Sequence, residues 1–296
     1  MANVFHDVFQ LILNNLYLIG VLALSTMGIT LTYKTTNVAN FSQAITSTIG
    51  AYMAGLMVRD FGCNPWLAMV AGVLLCFVIG VLVDAVVVRN IGGGSGRTMV
   101  TIALIVIFTA GIPLVYGTIP YNFPRFFKEQ IEFTLFGMQF NVTQNALFVL
   151  LLSIAVIGLI FAALNLTKWG LGVRGTSSNL YVAAMMGVNT NMMTALSWGI
   201  SSACGALAAI LLASQTQVIN LTMLGSVQAN SLLAFVLCVF SSFYGPVVGA
   251  AIIPVVQSLM AFISGIWASA LLYIVVMLVI LIKPAGLFGK SVQKKV

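Results

Sequence analysis

The sequence predicts an all-α fold: a polytopic transmembrane helical bundle of about eight to ten spans, some of them broken or re-entrant. Three observations carry this prediction. Of the 296 residues, 61% are hydrophobic and only 6% charged, whereas a soluble domain carries about a quarter charged residues. With a mean hydropathy of +1.12, the chain cannot cover a water-facing surface, so lipid must be its outer solvent. The apolar residues come in continuous runs near the roughly twenty that a helix needs to cross a bilayer. They do not show the period-2 alternation of a transmembrane β-barrel. The net charge of +7 comes from Lys and Arg gathered between the runs, the pattern of cytoplasmic loops rather than of a nucleic-acid-binding surface.

The runs cover approximately 8–33, 42–58, 65–88, 98–116, 143–166, 192–214, 222–243, 244–262 and 266–282. Inside lipid each must satisfy its own backbone hydrogen bonds, which makes helix the default. Run 42–58 is short for a span, so it and the segment before it form a broken or re-entrant element. Almost no loop separates 222–243 from 244–262. In a nine-span layout Lys34, Arg89, Arg97, Lys168, Arg174, Lys283, Lys290, Lys294 and Lys295 share one side, and Arg59, Arg125 and Lys128 take the other. The positive-inside rule then places the C-terminus in the cytoplasm and the N-terminus outside.

Two loops are long. The outer one, about 117–142, mixes Tyr121, Phe123, Phe126, Phe127, Phe133, Phe136 and Phe140 with Arg125, Lys128, Glu129 and Glu132. It reads either as an interfacial aromatic belt or as a docking surface. The inner one, 167–191, leads through small and polar residues into Leu180–Met186 and Gly187. This predicts a short helix with Ser177, Ser178 or Asn179 as N-cap and Gly187 near its end. A capped helix on that side is suited to brace a partner.

Residues with catalytic potential are sparse. His6 is the one histidine and sits at the N-terminus. Cys63, Cys76, Cys204 and Cys238 lack CxxC spacing and read as small apolar fillers. Gly289-Lys290-Ser291 resembles the tail of a phosphate-binding loop, but that motif needs a glycine where Pro284 stands. Gly92–Gly94 reads as a flexible turn. Asp84, near the end of its run and about one turn from Arg89, is expected to snorkel to the interface; a proton relay is the alternative. The neutral polar stretch 35–43 interrupts two apolar runs. It is either an ordinary loop or the lining of a pathway for a polar, uncharged or zwitterionic solute. Asn37, Asn40, Phe41, Ser42 and Gln43, with Tyr52, are the candidate substrate-pathway residues. Gly199/Ala203, Ser202/Ala206 and Gly245/Gly249 have the small-residue spacing of close helix packing, within the bundle or across a dimer.

Several stretches resemble the permeases of Liv-type branched-chain amino acid ABC importers. They are Leu31-Thr32-Tyr33 through Asn40-Phe41 to Gly50-Ala51-Tyr52; Asp84 to Arg89; Phe136-Gly137 before Asn141-Val142-Thr143; Gly205–Ala209; and the ending Lys283-Pro284-Ala285-Gly286-Leu287-Phe288-Gly289-Lys290. The inner loop is the most specific match, through Gly170-Leu171-Gly172-Val173-Arg174 and Ala183-Ala184-Met185-Met186-Gly187-Val188-Asn189. There are departures: Ser42-Gln43 replaces a His-Gly, and Asn90 with glycines replaces a basic-proline element. The resemblance implies one transmembrane permease domain over 1–296, in a bacterial inner membrane. That domain forms half of a pathway for branched-chain or related small amino acids and lacks enzymatic activity of its own. It implies no cofactor on this chain, with ATP held by partner subunits. The implied partners are a second permease, similar or identical, two cytoplasmic ATPases and an external solute-binding protein. The loop residues Arg174, Ser178, Asn179, Ala183, Ala184, Gly187 and Asn189 would couple to the ATPases. A permease for urea, short amides or sugars, and a stand-alone secondary transporter or channel, stand as alternatives.

Overall fold

In the computed structural model, residues 2–135, 137–238 and 243–283 are described. The first apolar run is two helices rather than one span. Helix α1 (Ala2–Asn14) and α2 (Leu16–Thr36) break at Asn15, whose side-chain amide donates to Leu11 O and to Ser258 Oγ. A polar residue that finds partners at a helix end stabilises the break. The crossing therefore begins at Leu16, and α1 lies against a β-hairpin.

That hairpin is β2 (Gln130–Leu135) and β3 (Met138–Thr143), antiparallel with Leu135 opposite Met138 and Gly137 at φ 76°. The aromatic loop is thus folded as strands, with β1 (Tyr121–Asn122) pairing antiparallel with β4 (Val218–Ile219). His6 Nε2 donates to Gln139 O at 2.9 Å, and Gln10 Nε2 donates to Asn141 O at 2.8 Å. The His6 and Phe9 rings rest on Phe140. The bond to Gln139 O, with Asp7 alongside, raises the pKa of His6.

From that hairpin end the chain alternates direction. Helix α3 (Gln43–Phe61) returns to it. Helix α4 (Pro65–Leu82) leaves it and continues through a π-helical turn, Val83–Val88; α5 (Gly94–Tyr116) returns, and α6 (Gln144–Leu166) leaves. Asn64 caps α4 by accepting from Trp66 N, with Pro65 at the first helical position. At the far end lie α7 (Lys168–Ser178) and α8 (Leu180–Met185). Helix α9 (Thr190–Thr216) crosses back, α10 (Gly225–Cys238) descends, and α11 (Gly245–Ile263) and α12 (Ala268–Ile282) complete the set. Six helices are long and apolar enough to span a membrane, and α10 and α12 are shorter apolar helices. Arg59 stacks on Tyr121 at 4.0 Å at the hairpin end, whereas Lys34 faces Phe243 and Arg89 reaches Asn191 O at the other. Lys290, Lys294, Lys295 and the terminal motif from Pro284 lie outside the described residues.

Helices α2 and α9 form the buried centre. The small residues of α9 pack within the chain. A side-chain carbon added at Gly199 would strike Phe77 and Val81 of α4, and one added at Gly80 would strike Trp198 O and Ser202. Gly50 and Gly72 bring α3 and α4 together closely enough that a Cβ on Gly50 would sit 2.9 Å from Gly72 O. Such approach lets dispersion and backbone contacts replace the hydrophobic drive that lipid cannot supply.

Candidate translocation site and coupling surface

The polar stretch 35–43 is a re-entrant segment. Asn37 ends α2 in the left-handed region, φ 54°, and is exposed. Asn40 is buried, and its Oδ1 accepts from both Ser42 N and Ser42 Oγ, an Asx-type turn that aims the chain into α3. Buried Gln43 then pins α3 to both central helices: its Nε2 donates to Ser25 O at 2.9 Å and its Oε1 accepts from Ser201 Oγ at 3.0 Å. At 1.5 Å rise per residue, Ser25 is about 14 Å from the start of α2 and Ser201 about 17 Å from the start of α9. Those helices start at opposite ends of the bundle, so α3 begins near mid-depth. The Asn40, Ser42 and Gln43 side chains are thereby engaged in holding this irregular backbone.

A second helix opens at the same place. After β4 the chain turns inward to Gly225, and Gln228 Nε2 donates to Asn40 O at 3.1 Å. Between the first turns of α3 and α10 lies a cavity of about 260 Å³ lined by Phe41, Ala44, Ile45, Thr48, Ile105, Thr109, Leu221, Thr222, Leu224, Gly225 and Gln228. Of the six predicted pathway residues, Phe41 lines it and Asn40 touches it through Gln228. Tyr52 sits elsewhere, stacked among Tyr116 and Tyr121 at the hairpin end. The reason is length: nine residues of α3 carry Tyr52 well away from Gln43. Thr48, Thr109 and Gln228 were missed. Gln228 was legible as a polar residue interrupting the run 222–243.

At the opposite end, Asp84 is 2% exposed rather than snorkelling. The π turn explains this. Its i→i+5 bond, Arg89 N to Asp84 O, stacks residue 89 over residue 84. Arg89 Nη2 then bonds Asp84 Oδ2 at 3.0 Å and Asn191 O at 2.8 Å, and Thr194 Oγ1 donates to the same carboxylate oxygen. The pair ties α4 to the start of α9.

The inner loop holds two helices where one was expected. Helix α7 begins at Thr167, whose hydroxyl accepts from Gly170 N, and it contains Arg174 and Ser178, both exposed. Asn179 is the N-cap of α8, accepting from Tyr181 N and Val182 N. Gly187 takes φ 83° and closes it, and Asn189 caps α9 through Met192 N. Ala183 is buried and faces the bundle, whereas Ala184 and Gly187 are exposed. Tyr181, Met185 and Met186 stand about 80% exposed beside Ala184, an apolar face larger than scattered surface residues normally present. Among the described residues no cluster of His, Cys, Asp or Glu could hold a metal.

The family described as branched-chain amino acid transport system, permease component, matches residues 11–281. Relatives include the probable branched-chain amino acid transport permease protein LivH of Methanocaldococcus jannaschii, 26% identical over 93% of this chain and 90% of that protein. LivH of Salmonella typhimurium, a high-affinity branched-chain amino acid transport system permease protein, is 25% identical over the whole of both chains. BraD of Pseudomonas aeruginosa is 23% identical, again over both whole chains. A solved chain of PsaBC from Streptococcus pneumoniae, in complex with Fab, shares the fold with a TM-score of 0.50 at 12% identity, covering 95% of this chain and 94% of that one. A multi-pass helical bundle with a re-entrant polar centre, matched by one family over nearly its whole length, belongs to the branched-chain amino acid transport permease family and is a membrane permease subunit.

Proposed function

We propose that this chain forms half of the translocation pathway of an ABC importer for branched-chain or related small amino acids. It would work with a second permease subunit, similar or identical, and a solute-binding protein at the hairpin end. Two ATPases would dock on the inner loops of the permease pair, on this chain at the α7–α8 face, with ATP held by them and no cofactor on this chain. The observation that carries the reading is α8. A capped helix with a solvent-exposed apolar face, at the end of the bundle rich in Lys and Arg, supports a surface that receives work from outside the membrane. Arg174, Ser178, Asn179, Ala184, Gly187 and Asn189 belong to that surface, and Ala183 supports it from beneath. ATP-driven closure of the ATPases would displace α8 and bias the bundle between outward and inward access.

Purification in mild detergent should recover two ATPase subunits and a second permease with this chain. Recovery of the chain alone, still competent for uptake, would sink the importer reading in favour of a solitary transporter. The charge distribution supports a cytoplasmic α8 end and a cytoplasmic C-terminus. A reporter fused after Val296 should be active there, and a periplasmic signal would invert the assignment.

A further inference from the structure

We propose that Arg97 is a latch: when α8 is displaced, Arg97 closes across the cavity at the inner end of α4 onto the Asp84 carboxylate and carries the movement to the re-entrant segment. The inference deepens the coupling reading above and rests on it. The cavity measures about 100 Å³, and its lining includes Thr36, Asp84, Arg89, Arg97, Leu180 and Thr194. One carboxylate oxygen, Asp84 Oδ2, is occupied by Arg89 and Thr194. The other, Oδ1, has no partner among the described residues. It is not sealed in protein, so the little surface it keeps opens on the cavity. Across that space stands Arg97. Its Nε donates to Ile91 O at 2.9 Å, and its two Nη atoms have no partner among the described residues. A cation in the first turn of a helix opposes the helix dipole, so the start of α5 is a poor place for Arg97 unless an anion answers it. Asp84 is the one acidic residue of the lining. A polar cavity of this size admits water. Closing it exchanges the hydration of two charges for an ion pair, and those two states lie close enough in free energy for a small displacement to decide between them.

The cavity touches both ends of a continuous path. Leu180, the first residue of α8, forms part of its wall, so moving α8 changes its shape directly. On the other side, Arg97 and Thr101 are one turn apart and share a face of α5. Thr101 Oγ1 lies 3.4 Å from both Phe41 N and Ala39 O, and Phe41 lines the mid-depth cavity. Before α5, Gly93 takes φ 80°, and Gly92, Gly93 and Gly94 have open space around them. That connector leaves the first turn of α5 free to move.

The test uses the assembled transporter in a Cys63→Ser background, Cys63 being the native cysteine that is not buried. Arg97→Cys should lower uptake about tenfold. Treatment with 2-aminoethyl methanethiosulfonate, which leaves an ammonium on the thiol, should restore uptake, and methyl methanethiosulfonate, which leaves a neutral group, should not. The same treatment should restore nothing in a chain that also carries Asp84→Asn. ATP with orthovanadate, which holds the ATPases closed, should slow modification of the thiol. Normal uptake in Arg97→Cys, rescue by neither reagent or by both alike, rescue that survives Asp84→Asn, or a thiol equally reactive with and without nucleotide overturns the latch. Arg97→Lys and Arg97→Gln need no reagent, and both lose the bond to Ile91 O. The first should keep most of the uptake that the second loses, and equal losses would also overturn the latch. Ala184→Trp is measured in parallel. If it stops uptake while position 97 shows none of these effects, the latch alone fails. If charge rescue holds at position 97 while Ala184→Trp transports normally, the α8 coupling reading fails and the ion pair stands.

Discussion

Ala184→Trp is expected to lower solute uptake by at least about tenfold, the equivalent of about 1.4 kcal/mol of lost coupling, while the bundle stays folded. Ala184 is exposed on α8, flanked by Tyr181, Met185 and Met186. An indole there replaces an exposed methyl group, so the fold should lose no more than about 0.5 kcal/mol, a shift of about 2 °C in melting temperature. A docked ATPase would have to accommodate the added bulk inside a packed interface, where overpacking costs about 1–3 kcal/mol. Ala184 is a cleaner probe than its neighbours. Ala183 is buried against its own chain, so enlarging it damages the bundle. Gly187 holds φ 83°, where a bulky side chain adds backbone strain of about 1–2 kcal/mol. The measurement pairs uptake in proteoliposomes with the melting temperature of the purified complex. Normal uptake would remove α8 from the coupling role, and a loss of both together would show that Ala184 serves packing alone.

Arg89→Leu is expected to cost the largest stability of any single substitution at the α4–α9 junction, about 3–5 kcal/mol. It strands the Asp84 carboxylate, 2% exposed, with the Thr194 hydroxyl as its remaining side-chain donor. Asp84→Asn should cost much less, about 1 kcal/mol, because Arg89 is a third exposed and can turn to water while the amide keeps the bond from Thr194. Replacing both residues by Leu should recover most of the loss, since two apolar groups leave no buried charge. Thermal unfolding of the three variants in one detergent gives the order. Equal effects of Arg89→Leu and Asp84→Asn would show that the carboxylate is protonated and the two residues form no ion pair.

The layout of the bundle was legible because hydrophobic run length is a direct consequence of bilayer thickness. The runs 65–88, 98–116 and 143–166 match α4 with its π turn, α5 and α6 closely. What was not legible depended on contacts distant in sequence. The break at Asn15 is stabilised by Ser258, more than two hundred residues away. The depth of Gln43 is set by Ser25 and Ser201. The polar stretch was legible as an interruption of two apolar runs, but the bonds by which Asn40, Ser42 and Gln43 hold its backbone were not. Gln228, which donates to Asn40 O, comes from the other half of the chain, and sequence spacing cannot bring α3 and α10 together. The caps in loop 167–191 were more legible, because Asn179 and Gly187 act through local geometry that four or five residues specify.

Helices α2 and α9, with 72% and 78% of their spans buried, and α4, α5 and α6, with 28%, 17% and 22%, are two different materials. The first pair is a spine whose neighbours are protein whatever surrounds the molecule. The other three are a rind whose outward faces no part of the described chain covers. Exchange of one aliphatic residue for another should pass almost unnoticed along the rind and be punished along the spine, where Gly28 or Gly205 admits no larger group. The same division makes the rind answerable to the thickness of its host. A short-chain detergent or a thin bilayer would strain α5 before it strained α9. Because α5 also closes one wall of the mid-depth cavity through Ile105 and Thr109, the lipid becomes a structural component of that wall.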